Sequence, residues 1–179
     1  SGDDTGGTTR PPNVIEFERD LDFVPTQLRA MIGSGQNGTR VWMLEAFDGF
    51  VLLGMELYEA HGAPTSAGII ELGDRETSYA TCGTCLLLQS GCYAHGDHFH
   101  CDKLFMPRAA GSLNITTMGD AAGERFAGEL VDAVFQEVRI GEGFETIAVP
   151  GGDVINIDSW SFDVALGGAT APAEECGGH

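Results

Sequence analysis

The sequence predicts an all-β domain, and three observations carry that prediction. Glycine is abundant, 26 of 179 residues, and falls between short apolar runs, where turns and bulges need it. Asp48-Gly49 separates two strand-like runs, a strong short-range hairpin signal. Ser112–Met118 sets Leu113, Ile115 and Thr117 alternately with Asn114, Thr116 and Met118, the period-2 pattern of a half-buried strand. Together they imply a single β-sandwich-like domain, jelly-roll or immunoglobulin-like, with at most one short helix.

The elements follow in chain order. Ser1–Thr9 has no apolar side chain and ends near Pro11-Pro12, so residues 1–12 are read as a flexible tether. The β domain is assigned to residues 13–168. Asn13–Arg19 starts it as a short strand. Pro25–Ile32 is read as one or two helical turns, with Thr26 as cap and Gly33 as stop. Gly33–Gly38 is a loop; its Gly-x-Gly-x-x-Gly outline follows no convincing strand and carries no dinucleotide reading. Arg40–Phe47 and Phe50–Glu59 form the predicted hairpin. His61–Ser66 is a loop, and Ala67–Leu72 is a strand closed by Gly73-Asp74. Thr84–Gln89, Lys103–Met106 and Ser112–Met118 continue the rhythm.

One segment is ambiguous. Gly123–Ile140 places Phe126, Leu130, Val134 and Val138 at helical spacing. Gly123 and Gly128 each cost a helix about 1 kcal/mol against alanine, and the surroundings are β-rich, so strands are the reading. Val154–Val164 is a strand with a bulge or bend near Ser159. The Gly/Ala/Pro-rich end is a tail, residues 169–179. Trp42, Tyr58, Tyr93 and Trp160 are assigned to the core.

Composition excludes several functions. Nine Lys and Arg face 27 Asp and Glu, a formal net charge of −18. That field repels phosphate backbones and anionic lipid, so no nucleic-acid partner is expected. The densest apolar run, Val51–Met55, is far shorter than a membrane span. Serine-hydrolase elbow, P-loop and calcium-loop patterns are absent, and no carboxylate pair stands out in so acidic a chain. Asn37-Gly-Thr39 and Asn114-Ile-Thr116 fit the glycosylation pattern, which matters only in a eukaryotic secretory pathway. The protein is expected to be non-catalytic.

The chemistry concentrates in one segment. Four of the five cysteines, Cys82, Cys85, Cys92 and Cys101, fall within twenty residues, and Cys176 stands apart. Between Cys92 and Cys101 lie His95, Asp97, His98 and His100. Three readings compete. In the first the cysteines are structural disulfides of an oxidising compartment. Cys92 and Cys101 flank a short glycine-containing loop that a hairpin can close. Cys82 and Cys85 close a small ring or pair outward, one of them with Cys176, and the odd count leaves one thiol free or intermolecular. In the second, Cys-x-x-Cys with Cys and His ligands holds zinc, or His95, His98 and His100, with Asp97, hold copper or zinc. In the third, Cys82-Gly-Thr-Cys85 is a thiol-disulfide oxidoreductase motif. The first is preferred.

Thr81-Cys82-Gly-Thr-Cys85-Leu-Leu-Leu, Cys92, Cys101, Lys103-Leu-Phe-Met and Gly111-Ser-Leu-Asn-Ile-Thr resemble a group of predicted lipoproteins of δ-proteobacterial, myxobacteria-like cell envelopes. The likeness continues through Arg125-Phe-Ala-Gly-Glu-Leu, Gln136-Glu-Val-Arg-Ile and Asp158-Ser-Trp-Ser-Phe, over about residues 78–165. It implies a secreted β-sandwich-like domain with disulfides around the Cys-x-x-Cys strand. Such relatives often carry a further cysteine just before the last strand, where this chain has Val154 and Ile155. The N-terminal tail likewise resembles the tether after a lipid-bearing cysteine, which would lie just before Ser1. The expected location is therefore extracytoplasmic, either anchored to the outer membrane by lipid or secreted. A protein, a small ligand and a second copy of the chain remain open as partners.

Overall fold

A long antiparallel pair, β11 (Arg125–Ile140) and β13 (Val154–Gly168), organises the molecule. It runs from Arg125 opposite Ala165 to Gln136 opposite Val154. This is a computed structural model, and it describes residues 18–95 and 98–168, with the side chains at 18, 36 and 94–98 outside the description. The expected tether, residues 1–12, and tail, residues 169–179, lie outside the described residues. So does all but the end of the Asn13–Arg19 strand.

The remaining strands are β1 (Glu18–Asp20), β2 (Gln27–Ser34), β3 (Arg40–Phe47), β4 (Val51–Tyr58), β5 (Gly68–Glu71) and β6 (Thr84–Ser90). They continue with β7 (Tyr93–His95), β8 (His98–His100), β9 (Lys103–Pro107), β10 (Ser112–Met118) and β12 (Thr146–Ala148). All but β7 and β8 belong to one sheet. The path β13–β2–β3–β4–β6–β9–β11 returns to β13 and closes the sheet on itself. The all-β single domain is as expected, but the two layers of the sandwich are opposite walls of one hydrogen-bonded sheet. Closure gives β2, β3, β4, β6 and β9 a partner on both sides, and among the described residues β1, β5 and β12 of this sheet pair on one side only. Two pairings, β1 with β13 and β13 with β2, are parallel.

Closure needs corners, and the long pair supplies one. On β11 the side chains in the main core are Phe126 and Leu130, then Ala133 and Phe135. On β13 they are Ile155 and Ile157, then Trp160, Phe162 and Leu166. A straight strand keeps one parity on one face, so each strand changes face partway. The change falls between the pairs Val131–Ser159 and Ala133–Ile157, where Asp132 has φ 51°. There β11 exchanges β10 for β9 as its second neighbour. Strands that bend between walls in this way make sheet corners. The bend expected near Ser159 is thus present, and its partner at Asp132 comes with it.

Two expectations are corrected. Pro25–Ile32 is not helical: β2 occupies it, pairing with β3 from Gln27 opposite Phe47 to Ser34 opposite Arg40. Leu28, Ala30 and Ile32 share one parity and pack on the core, and tertiary pairing overrides a weak helical signal. Tyr93 is not a core residue; it is 52% exposed on the β7–β8 ribbon. Trp42 and Trp160 are buried as expected, and Tyr58 is half-buried. The Asp48-Gly49 hairpin forms: Gly49 takes φ 106° and Asp48 Oδ1 accepts from the amides of Phe50 and Val51.

At one end of the barrel, Arg40 clasps Glu59. Its Nε donates to Oε2 at 3.1 Å, its Nη2 to Oε1 at 3.2 Å and its backbone amide to Oε2 at 2.8 Å. These bonds hold the Glu59 carboxyl below its ordinary value. A lowered carboxyl stabilises the fold fully above the unfolded value, about 4.3, and that share is lost as pH falls through the folded one. Thermal melts at pH 7 and pH 3 should therefore show a smaller acid-induced loss for Glu59→Gln than for the wild type, from a lower starting stability at pH 7.

Candidate functional site

The Cys/His segment is built as a stapled ribbon rising from the barrel wall. β6 and β9 are wall neighbours, with Ser90 opposite Lys103, and the Asp102 amide donates to the Ser90 carbonyl at 3.0 Å. The chain leaves at Gly91, φ 69°, and returns at Asp102. Cys92 and Cys101 are bonded across this root, their α-carbons 4.0 Å apart. The Cys92 amide donates to the Phe50 carbonyl at 3.0 Å, tying the root to the β3–β4 turn. Phe99 lays its ring against Phe47, centroids 4.4 Å apart. Tyr93 meets His100 across the ribbon at 5.2 Å.

The ribbon register sets Tyr93 opposite His100, Ala94 opposite Phe99 and His95 opposite His98. The three histidine positions therefore share a face of the ribbon, alternating with Ala94 and Phe99. Asp97 and Cys176 lie outside the described residues, as do the side chains of His95 and His98. Among the described residues no three His, Cys, Asp or Glu side chains converge as a metal set.

The second disulfide joins Cys82 to Cys85, α-carbons 5.2 Å apart. It lies outside the barrel in a small cluster with Met106 and Val138, flanked by Tyr58, Tyr79 and Leu104. Glu56 accepts from the hydroxyls of Tyr58 at 2.8 Å and Tyr79 at 3.2 Å. Burial first, then the Glu56 charge, pushes the Tyr58 phenol up. Cys82 and Cys85 are 4% and 2% exposed, and Thr84 begins a strand. Dithiol exchange needs an accessible thiol and a group that lowers its pKa, such as a helix N-terminus. This pair has neither access nor a helix.

Beside the ribbon root lies a groove of about 210 Å³, lined by Arg19, Phe50, Ser90, Asp102, Lys103 and Asp153. Parallel pairing of β1 with β13 brings Arg19 opposite Ile155, close to Asp153. Lys103, the sole lysine, bridges Asp153 at 2.8 Å and Glu137 at 3.0 Å, which raises its pKa. The chain matches no family model, no curated protein and no solved structure. Function must come from geometry. None of the groove residues is among the sequence-predicted site residues. They come from positions 19 to 153, and the only local signal was the isolated Lys103 next to the Cys101-Asp102 turn.

Proposed function

We propose that the protein is a non-catalytic binding domain of an oxidising extracytoplasmic compartment, held at the cell envelope by its N-terminal tether or secreted. One observation carries the reading. Four cysteines form two disulfides, with Cys82, Cys85 and Cys92 buried and Cys101 half-buried, and one of the bonds staples an exposed ribbon to the wall. Such bonds persist where thiols are oxidised and are rare where glutathione keeps them reduced. The likeness to envelope lipoproteins supports the same location, with membrane contact through lipid alone. A small ligand or protein is the partner class.

A second reading has its own observation. The ribbon register sets His95 opposite His98, with His100 two residues on, a spacing that suits imidazole ligation of copper or zinc. Native mass spectrometry before and after reduction tests both. The first expects a mass lower by two hydrogens for each of the two bonds, recovered on reduction, and no metal adduct. Alkylation of every cysteine without reductant would sink it. Stoichiometric copper or zinc, lost when His95, His98 and His100 become alanine, would establish the second; a metal-free chain after dialysis against either ion would end it.

A further inference from the structure

The groove at the ribbon root has the chemistry of a site. Phe50 holds one wall with its ring 55% exposed, at the tip of a turn that Asp48 fixes through two backbone bonds. Ser90 is only 5% exposed and lines the same groove, yet among the described residues its hydroxyl has no hydrogen-bond partner. That hydroxyl is not among the fully buried unpaired atoms, so it opens onto the groove and can bond whatever enters. Arg19 and Asp102 also line the groove and make no ion pair among the described residues. Two cations, Arg19 and Lys103, face two carboxylates, Asp102 and Asp153. Glu137 shares Lys103 with Asp153, so two cations meet three carboxylates and the groove is mixed in sign on a chain of net charge −18.

We propose that this groove binds one unit of a neutral saccharide, its ring face laid on Phe50 and its hydroxyls bridging Ser90, Arg19, Asp102 and Asp153. The proposal rests on the binding-domain reading above and names its ligand class. The ring face of an aromatic is negative, and the axial C–H groups of a pyranose are its complement. A sugar hydroxyl both donates and accepts, so it satisfies a carboxylate and a guanidinium at once. A lining of mixed sign therefore fits a neutral polyol better than an anion or a cation. A zwitterion such as a peptide end would also balance the charges. In an open groove, however, its ion pairs contribute only about 0–1 kcal/mol each, and it offers no flat face to Phe50. The volume is below the roughly 300 Å³ at which drug-sized ligands begin, so one ring enters and the rest of a chain lies outside. Tyr93 and Phe99 on the ribbon are exposed aromatic surface along which such a chain continues.

The test is titration of the intact, oxidised protein with cellohexaose, maltohexaose and chitohexaose, followed by amide NMR shifts. The titration extends to about 10 mM, where a 1 mM complex is about nine-tenths formed. At least one hexasaccharide is expected to move the amides of Phe50, Ser90 and Asp102. Phe50→Ala should weaken it at least about tenfold, equivalent to about 1.4 kcal/mol, while the exposed Phe144→Ala should leave it unchanged. Ser90→Ala removes a hydroxyl with no protein partner, so it should weaken binding without lowering the melting temperature. Silence from all three sugars, or shifts that Phe50→Ala leaves intact, overturns the proposal. Shifts from glycylglycine in place of the sugars also overturn it, in favour of a peptide. A silent sample with both disulfides intact sinks the saccharide alone, whereas a silent sample with reduced thiols sinks the binding-domain reading beneath it.

Discussion

Gly111→Ala is expected to destabilise the domain by about 3 kcal/mol, from two costs that act together. Gly111 has φ 86°, so alanine there costs roughly 1–2 kcal/mol in backbone conformation. A Cβ at that position would also lie 2.5 Å from the Asp132 carbonyl oxygen and 2.6 Å from that of Val131. Both atoms are backbone at the sheet corner, where β11 changes neighbours, so neither swings aside like a side chain. Overpacking of this kind adds about 1–3 kcal/mol. In a domain of this size the sum lowers the melting temperature by about 10 °C. Gly123→Ala is the matched control. It has φ 89° and nothing within 4 Å of its would-be Cβ, so it should cost only the conformational part. Equal losses for the two variants, measured by thermal and denaturant unfolding, would show that close approach at the corner contributes nothing.

That corner also marks where the sequence stopped being legible. Local signals are visible in a linear chain. Asp48-Gly49 predicted its hairpin, and the alternation of Ser112–Met118 matched β10, whose Leu113 and Ile115 are buried. Gly123–Ile140 was ambiguous because β11 reverses parity at Asp132. Its core residues move from even positions to odd ones, while Val134 and the separately buried Val138 keep apolar side chains on even positions, and the two sets together imitate helical spacing. Barrel closure left no local trace, since it depends on β13 meeting both β11 and β2. Ribbon closure made the Cys92–Cys101 pairing foreseeable. The partner of Cys82 stayed open between Cys85 and Cys176 until the Cys82–Cys85 bond was seen. The groove was beyond reach for a different reason: Arg19, Phe50, Ser90, Lys103 and Asp153 are separated by whole strands, and only the fold brings them together.

Trp42→Ala should be the costliest core truncation, about 3–5 kcal/mol, and its effect should stay at one end of the barrel. The indole is fully buried and donates from Nε1 to the Gly119 carbonyl at 2.8 Å. Arg40 stacks over it, 4.9 Å from the ring centre, and pairs with Asp120 at 3.7 Å. The same 119–124 turn is bonded to β13, with the Gly123 amide on the Leu166 carbonyl and the Leu166 amide on the Glu124 carbonyl. Trp42 therefore fastens β3 to the turn that also holds the end of β13. Trp42→Phe keeps most of the buried surface and loses the bond to Gly119, so it should cost about 1 kcal/mol for that bond, plus a smaller packing loss. Hydrogen exchange should quicken at 119–124 in Trp42→Ala well before it does in the disulfide-closed ribbon, which packs on Phe47 at the other end of β3. Saccharide affinity measured on the folded fraction should be unchanged, because Phe50 and Ser90 belong to that far end. A matched drop in affinity would mean that the two ends are coupled through the barrel wall, so the groove would depend on the whole sheet and not only on the stapled ribbon root.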